Sequence, residues 1–237
     1  MVSGLVLGSY AVTAGIRLAR SEPSSGGRSH CDHCGVVLGF AQTVPVISSL
    51  MSRGACRSCG APIDPTHLAG ELAGAVIVGA AVMVASFPRS MLLAGLGLVL
   101  ITASAVDLKV QRLPDPLTAA VAVLALCLML SRSGMPWLEG VSAAAISFGL
   151  LQVVRWASSL RGGDPGLGFG DVKLTSALAL WLGAATAWTV VGAALLGLGY
   201  VALTRRTDRR LPFGPMLAVA ALGVGYAREA GIWPTML

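Results

Sequence analysis

The chain of 237 residues is 55% hydrophobic and only 12% charged, with a mean hydropathy of +0.77. Soluble domains carry about 25% charged residues, so this composition excludes an ordinary soluble domain and places most of the chain in lipid. The formal net charge of +6 comes from loops between apolar segments. It gives no reason to expect a nucleic-acid partner.

Apolar segments follow one another along the chain and predict an all-α polytopic membrane protein. A transmembrane helix needs roughly 17–25 apolar residues, and about eight segments approach that length. They are Val2–Ala19, Leu68–Phe87, Ser90–Val106, Pro116–Leu130, Trp137–Trp156, Val172–Leu182, Ala185–Leu203 and Pro212–Glu229. The sixth and seventh could instead form one long helix, because no charge interrupts the stretch from Leu174 to Thr204.

The basic residues predict the orientation. If the amino terminus lies outside, all but three of the 17 Lys and Arg residues fall in inside loops, and the exceptions are Arg89, Arg132 and Arg228. Such a bias indicates that the inside loops are cytoplasmic. The last of these loops contains the basic run 205–210, which favours two separate helices for the sixth and seventh segments. Val2–Ala19 has no basic residue before its apolar stretch, so we interpret it as a retained anchor.

The polar segment 20–67 contains two Cys-x2-Cys pairs, Cys31 with Cys34 and Cys56 with Cys59. Two such pairs can present four thiolates to one tetrahedral ion, and their spacing is typical of structural zinc sites. The alternative is two disulfides, but thiols stay reduced in the predicted cytoplasmic location. A loop this short buries little apolar surface, so a zinc ion would supply its folding free energy.

Two aspartates lie at the cytoplasmic ends of predicted helices. Asp107 follows an apolar run, and Asp171 closes the string Gly168-Phe169-Gly170-Asp171. An ionisable group at a membrane boundary is costly and indicates a function. Two carboxyl groups that share a proton and activate water are the chemistry of an aspartic protease. The nearby glycines let a second backbone come close, which a protease needs to hold its substrate extended.

Each of these acidic residues also has a structural interpretation. Asp107 could pair with Lys109 or Arg112 at the interface, and Asp171 could be only the N-cap of the helix that follows it. Asp115 lies between two prolines and is predicted as the N-cap of the next helix. The catalytic interpretation of Asp107 and Asp171 depends on their meeting at one membrane face.

Together these residues resemble the prepilin peptidases, also called type IV leader peptidases, which are membrane aspartic proteases of the Gly-x-Gly-Asp type. The motifs that carry the resemblance follow the family's order. They are Gly8-Ser9 with Arg17-Leu18, the four-cysteine loop with Val44-Pro45-Val46-Ile47-Ser48, Glu71-Leu72, Asp107 with Leu113-Pro114-Asp115, Gly168-Phe169-Gly170-Asp171-Val172-Lys173-Leu174, and Pro212-Phe213-Gly214-Pro215.

The resemblance implies a substrate and a set of site residues. The substrate is the short basic leader of a type IV prepilin or pseudopilin, cut just after a glycine at the cytoplasmic face of the bacterial inner membrane. The implied catalytic residues are Asp107 and Asp171. The residues implied to support them are Gly168, Gly170, Lys173, Pro114 and Asp115.

The resemblance also implies a second activity, methylation of the new amino terminus with S-adenosylmethionine. Glu71 is the candidate residue for binding this cofactor, and its alternative is a pair with Arg17 or Arg53. The expected organisation is a first transmembrane helix at 1–19, a cytoplasmic four-cysteine zinc domain at 20–67 that includes the methylating region, and a transmembrane peptidase core at 68–237.

The sequence leaves two other functions open. One is a proton-coupled transporter that uses the aspartates, and the other is a non-catalytic membrane scaffold whose zinc loop binds a partner. The aspartates lie at helix ends on one face, and the chain has no internal duplication, so the sequence argues against a transporter.

Overall fold

The computed structural model describes residues 2–23, 27–132, 134–160, 166–204 and 211–233. Within these ranges the chain forms nine α-helices and no β-strand. The helices are α1 (Val2–Ala19), α2 (Ile47–Met51), α3 (Pro65–Val84), α4 (Arg89–Val110), α5 (Asp115–Leu130), α6 (Pro136–Ser159), α7 (Phe169–Leu182), α8 (Thr186–Thr204) and α9 (Phe213–Glu229).

The eight long helices correspond to the eight predicted apolar segments, and the all-α membrane fold is confirmed. Between α7 and α8 the chain makes a turn in which Gly183 has a φ of +56°, so the two segments are separate helices. Within the described part of the chain, five helical stretches are long and apolar enough to cross a membrane, with α7 and α8 counted together. Arg161 and the basic run 205–210, which are predicted to lie in cytoplasmic loops, are not among the described residues.

The core of the bundle is formed by α4, α5, α7 and α9. Their buried apolar side chains form one cluster, in which the largest are Leu93, Leu96, Leu100, Val121, Leu128, Leu174, Leu178, Trp181, Leu182 and Leu217. On one side of this core, α1 and α3 pack against each other and against α4. On the other side α6 packs against α7, and α8 packs against α9.

Helices α1 and α3 cross where each has a Gly-x3-Gly pair, Gly4 with Gly8 and Gly70 with Gly74. A methyl group placed on Gly8 would lie 2.2 Å from the carbonyl oxygen of Gly70, and one on Gly74 would lie 2.6 Å from the Cα of Gly8. Small residues allow such backbone contact between helices in lipid, where close packing replaces the hydrophobic drive. The crossing therefore depends on the absence of side chains at these four positions.

We expect Gly74→Leu to separate α1 from α3. The new side chain would meet backbone atoms that cannot move aside, and overpacking of this kind destabilises by about 1–3 kcal/mol or more. Thermal unfolding in detergent measures the loss. Gly79→Leu on the same helix is the matched control, because nothing lies within 4 Å of a methyl group at that position. If the two variants lowered the unfolding temperature equally, the loss could not be attributed to backbone contact at Gly74.

Five charged residues form an ionic network at one end of the bundle, here called the arginine–glutamate cluster. Glu229 accepts hydrogen bonds from Nε and Nη2 of Arg89, each at 2.7 Å, and from Nε1 of Trp181 at 3.0 Å. Arg228 donates to Glu139 at 2.7 Å and to carbonyl oxygens at the end of α7. The members of the cluster are Arg89, Arg132, Glu139, Arg228 and Glu229.

The arginine–glutamate cluster shows which ends of the helices lie at the same face of the bundle. It joins the start of α4, the end of α5, the start of α6 and the ends of α7 and α9 at one face. The three arginines that depart from the positive-inside pattern are its three cations, and each is paired with a carboxylate of the protein. The opposite ends of α4, α7 and α9 therefore meet at the other face, where Asp107 and Asp171 lie.

Candidate active site and metal centre

Asp107 lies in the last turn of α4, which continues to Val110 before Gln111 ends it in the left-handed conformation. The residue is only 6% exposed, and its Oδ2 accepts a hydrogen bond of 2.9 Å from the backbone N–H of Gly214. Gly214 is the second residue of α9. The first N–H groups of a helix have no partner within it and favour a negative charge, so the start of α9 is a binding site for this carboxylate.

Asp171 is the third residue of α7, and Gly168 occupies the N-cap position. A methyl group on Gly168 would lie 2.9 Å from Oδ2 of Asp171, and one on Gly170 would lie 3.0 Å from Leu113. The glycines of the Gly-x-Gly-Asp string thus leave space for the carboxylate and for the turn that follows α4. Asp171 thus lies in the first turn of α7, at the face of the bundle where Asp107 lies in the last turn of α4.

Each aspartate is followed two positions later by a lysine that is paired with another acidic residue. Lys109 donates to Asp64, and Lys173 donates to Asp115 at 2.6 Å. Burial would raise the pKa of Asp64, but hydrogen bonds from Lys109 and Thr66 outweigh it and hold that pKa below its usual range. The alternative that Asp107 pairs with Lys109 therefore does not hold, because Lys109 pairs with Asp64.

The prediction that Asp115 is the N-cap of its helix is wrong. Pro114 occupies that position, and its carbonyl oxygen accepts the first helical hydrogen bonds, from Leu117 and Thr118. Asp115 is the first residue of α5, and its carboxylate instead contacts Lys173 on α7. Asp115 and Lys173, both implied by the family resemblance, thus lie together and join α5 to the helix that carries Asp171.

The four cysteines converge in the loop between α1 and α3. Their sulfur atoms all lie within 4.8 Å of one another, and those of Cys31 and Cys59 are 3.9 Å apart. A disulfide requires about 2.05 Å, whereas a tetrahedral zinc with bonds of about 2.3 Å places its sulfurs about 3.8 Å apart. The cluster could therefore hold one metal ion.

Two turns of the same design present the four sulfurs. In the first, the N–H of Cys31 donates to Val36 and the N–H of Gly35 donates to Cys31, each at 2.9 Å. Cys56, Gly60 and Ala61 repeat this pattern with distances of 2.8 and 2.9 Å. Gly35 and Gly60 have φ values of +71° and +73°, a conformation that glycine adopts without strain. The glycine after each Cys-x2-Cys pair is thus part of the metal-binding turn.

Glu71 is 5% exposed and connects the cysteine loop to the membrane helices. Its Oε1 accepts a hydrogen bond of 2.9 Å from the Ser9 hydroxyl, and its Oε2 accepts one of 2.7 Å from the N–H of Val46. The carboxylate faces a cavity of about 590 Å³ lined by α1, the start of α3 and the cysteine loop, including Arg17 and His67. This volume lies within the range of small-molecule sites, roughly 300–1,000 Å³.

Two residues of this site were not assigned a role from the sequence. In the sequence Gly214 is only part of the Pro-Phe-Gly-Pro motif, whereas in the structure its N–H donates to Asp107. Ser9 is only part of the Gly8-Ser9 motif in the first helix, whereas in the structure its hydroxyl donates to Glu71. In both cases the motif was the available signal, and the partner lies far away along the chain.

Comparison with known proteins gives the family. Residues 2–85 match the bacterial peptidase A24 N-terminal domain, and residues 94–203 match the type IV leader peptidase family. A prepilin leader peptidase/N-methyltransferase of Burkholderia pseudomallei is 37% identical over 198 residues, which are 81% of this chain and 64% of that protein. One of Dichelobacter nodosus is 35% identical over 81% of this chain and 68% of its own length.

A third such protein, of Klebsiella pneumoniae, is 35% identical over 77% of this chain and 83% of its own length. The chain spans slightly less than two thirds, 64%, of the length of the Burkholderia relative. No solved structure matches it at a comparable level of significance. The matches cover both the cysteine loop and the helices with the two aspartates, and the chain therefore belongs to the type IV leader peptidase family.

Proposed function

We propose that this protein removes the basic leader from type IV prepilins or pseudopilins at the cytoplasmic face of the bacterial inner membrane, with Asp107 and Asp171 as the catalytic pair. The observation that carries the proposal is the placement of Asp107 in the last turn of α4 and of Asp171 in the first turn of α7, at the face of the bundle where the N–H of Gly214 binds Asp107. The names of the relatives, prepilin leader peptidases, support the substrate class.

The chemistry follows from two carboxyl groups of which one is ionised and one is protonated. The carboxylate takes a proton from water as the water oxygen attacks the scissile carbonyl carbon, and the carboxylic acid gives its proton to the carbonyl oxygen. In the second step the newly protonated carboxyl group gives a proton to the amide nitrogen. The other takes one back from the diol, so the C–N bond breaks and the pair is regenerated.

Neighbouring groups prepare the pair for this reaction. The Gly214 N–H engages Oδ2 of Asp107, which leaves Oδ1 to receive the proton of the water. Lys109 and Lys173 are occupied by Asp64 and Asp115. Their positive charges are therefore held by other carboxylates and do not neutralise the pair.

We expect Gly214→Ala to lower the rate of cleavage strongly. The added methyl group would lie 2.9 Å from Oδ2 of Asp107 and 3.2 Å from its Cγ, so the carboxyl group must move. A displacement of about 1 Å at a reacting group can cost on the order of 10²-fold in rate. Gly223→Ala on the same helix is the control, because nothing lies within 4 Å of a methyl group there. Turnover of a precursor peptide measures both variants, and full activity in Gly214→Ala would remove Gly214 from the site.

The cytoplasmic orientation is supported by the charges at the two faces. The end of the bundle that holds the aspartates also has Lys109, Arg112 and Lys173, and Arg155 lies near the end of α6 beside Phe169. At the opposite face the arginines are paired within the arginine–glutamate cluster. Excess positive charge marks the cytoplasmic side of a membrane protein.

We further propose that the four cysteines hold one zinc ion. Four thiolates arranged around one point most often bind zinc in proteins. A zinc ion with four protein ligands has no open coordination position. The ion would therefore stabilise the loop.

The cavity at Glu71 is the proposed site of methyl transfer. Its buried carboxylate, the Arg17 side chain and its volume of about 590 Å³ fit a cofactor that carries both a positive sulfonium and polar groups. S-adenosylmethionine, when bound, supplies the methyl group. Glu71 would bind and orient the cofactor, and the names of the relatives include an N-methyltransferase activity.

We expect Glu71→Gln to abolish methylation and to leave cleavage intact. The change removes the charge of the buried carboxylate at the cavity, while the aspartate pair lies on other helices. Mass spectrometry of the processed precursor measures both reactions at once. Glu22→Gln, which alters another carboxylate that lines the cavity, is the control and should methylate normally. A fully methylated product from Glu71→Gln would exclude Glu71 as a binding residue.

One assay separates the proposed function from its rivals. Detergent-solubilised protein is incubated with a precursor that has a basic leader, a glycine and an apolar helix, and the products are analysed by mass spectrometry. Cleavage after the glycine supports the peptidase. A proton-coupled transporter or a non-catalytic scaffold would leave the precursor intact, and only the transporter would acidify or alkalinise the lumen of liposomes that contain it.

A further inference from the structure

The short helix α2 has an apolar face and a polar face, although it belongs to the loop that is predicted to be cytoplasmic. Ile47, Leu50 and Met51 occupy positions i, i+3 and i+4, which share one face of a helix, and they are 54%, 69% and 66% exposed. The polar face consists of three serines that line the cavity at Glu71, which are Ser48, Ser49 and Ser52. Helix α2 therefore separates this cavity from the surroundings of the protein.

Helix α2 is attached to the membrane helices well inside their ends. The N–H of Val46, the residue before α2, donates to Oε2 of Glu71 at 2.7 Å, and Oε1 of Glu71 accepts from the Ser9 hydroxyl at 2.9 Å. Glu71 is six residues beyond the start of α3 at Pro65, and Ser9 is ten residues before the end of α1 at Ala19. With a rise of 1.5 Å per residue, these offsets are about 9 and 15 Å. The start of α2 therefore lies alongside the apolar helices and not beyond their ends.

The backbone at Val46 shows that this attachment is specific. Val46 has a φ of +63°, which is unfavourable for a β-branched residue. A strained conformation persists only where the surrounding structure determines it. Here the bond to Glu71 and a bond of 2.7 Å from the Ile47 N–H to the Pro45 carbonyl oxygen hold it. The turn that begins α2 is thus fixed against α3.

Lipid is the covering that fits this depth and chemistry. Interfacial helices bury their apolar face about 5–10 Å into the boundary between headgroups and acyl chains, which is the depth at which Glu71 holds α2. From this level inward α3 exposes Leu72 and Val76, so apolar side chains of the neighbouring helix already face lipid there. Arg53 and Arg57 follow α2 and are exposed, and the anionic lipids of the cytoplasmic leaflet attract such basic residues.

We propose that α2 is an in-plane membrane anchor whose face of Ile47, Leu50 and Met51 is buried among the acyl chains of the adjacent leaflet, the cytoplasmic one in the proposed orientation. The four-cysteine loop is then bound to the bilayer at its middle as well as through α1 and α3 at its ends. Lipid covers the outer side of α2, and its serines face the cavity at Glu71. The inference concerns only what covers this helix, so it does not depend on cleavage or methyl transfer.

Photocrosslinking tests what covers the two faces. The full-length protein is reconstituted in vesicles of phosphatidylethanolamine and phosphatidylglycerol, with benzoylphenylalanine at Leu50 or, as the matched control, at Ser48 on the opposite face. After irradiation we expect Leu50→benzoylphenylalanine to carry a phospholipid adduct in mass spectrometry. Ser48→benzoylphenylalanine should crosslink within the protein instead.

Three results would overturn the inference. One is the absence of a lipid adduct at position 50, and another is an equal yield of lipid adducts at positions 48 and 50. The third is a crosslink from position 50 to a second copy of the chain in vesicles, or to another protein when the same variant is irradiated in cell membranes. In that case the apolar face would be a protein interface.

Hydrogen exchange gives a second measurement that needs no crosslinker. In the same vesicles we expect Leu50→Asp to make amide exchange in α2 at least about tenfold faster, because a carboxylate is costly at a membrane boundary. Leu50→Met, which keeps the face apolar, should retain the wild-type exchange rate. An exposed residue in water tolerates a change to Asp, so unchanged exchange in Leu50→Asp would show that α2 faces water and would contradict the anchor.

Discussion

Asp107→Asn and Asp171→Asn should each reduce cleavage of a precursor by at least about 10³-fold, because loss of a positioned general acid or base typically costs 10²–10⁴-fold. An asparagine oxygen at position 107 can still accept the hydrogen bond from Gly214, so the fold around it is expected to persist. Turnover of a leader peptide followed by mass spectrometry measures the effect, with thermal unfolding as the check on stability.

Asp115→Asn is the matched control for these two variants. Asp115 lies at the same membrane face and contacts Lys173, but its side chain is 77% exposed and bonded away from the pair. We expect it to keep at least about a tenth of the wild-type rate, since an exposed ion pair contributes little. If Asp115→Asn were inactive and Asp107→Asn active, the first catalytic aspartate would have been assigned to the wrong residue.

Cys56→Ser should remove the bound metal and unfold the cysteine loop. Structural zinc contributes an apparent 10–16 kcal/mol of binding free energy to small domains, and the loop has few buried apolar residues to replace it. We expect zinc content to fall from about one ion per chain to nearly none. Backbone amide exchange in residues 29–63 should become fast.

Cys127→Ser is the control, because Cys127 lies on α5 and is exposed outside the four-cysteine cluster. Cleavage should fall in Cys56→Ser but stay measurable. Among the described residues, the contact of Asp64 with Lys109 joins the end of the loop to the last turn of α4, which carries Asp107. Full zinc content in Cys56→Ser, measured by atomic absorption, would show that the four cysteines do not hold the ion.

The helices could be predicted from sequence because lipid constrains composition so strongly. Their ends were less predictable. α3 begins at Pro65, before the predicted Leu68, because the Asp64 carboxylate caps it by accepting from the N–H of Thr66. α4 extends past the predicted Val106 to Val110, so Asp107 lies within its last turn. At the membrane boundary a helix can continue for a turn of polar residues, and the apolar pattern used to predict the helix does not mark that turn.

The side chains of the site could be predicted from the sequence, but the groups that hydrogen-bond to them could not. Asp107, Asp171, Glu71 and the cysteines have chemistry that stands out in an apolar chain. The groups that hold two of them are backbone N–H donors, those of Gly214 and Val46. Every residue except proline has such a donor, so no sequence pattern distinguishes these two. The crossing of α1 and α3 is different, because its Gly-x3-Gly pairs can be read from the sequence. The sequence does not show that these two helices are neighbours, and only then do the glycines indicate a crossing.

The arginine–glutamate cluster also has a consequence for biosynthesis. Glu229 is the final residue of α9, and its partners Arg89 and Arg132 precede it by 140 and 97 residues. Since the chain is made from its amino terminus, α4 and α5 are inserted long before their counter-charge exists. Until α9 arrives, two arginines at the end of the bundle lack the Glu229 carboxylate. The cluster is therefore complete only after α9 has been inserted. A chain truncated before Glu229 would leave Arg89 and Arg132 at the end of the bundle without the Glu229 carboxylate.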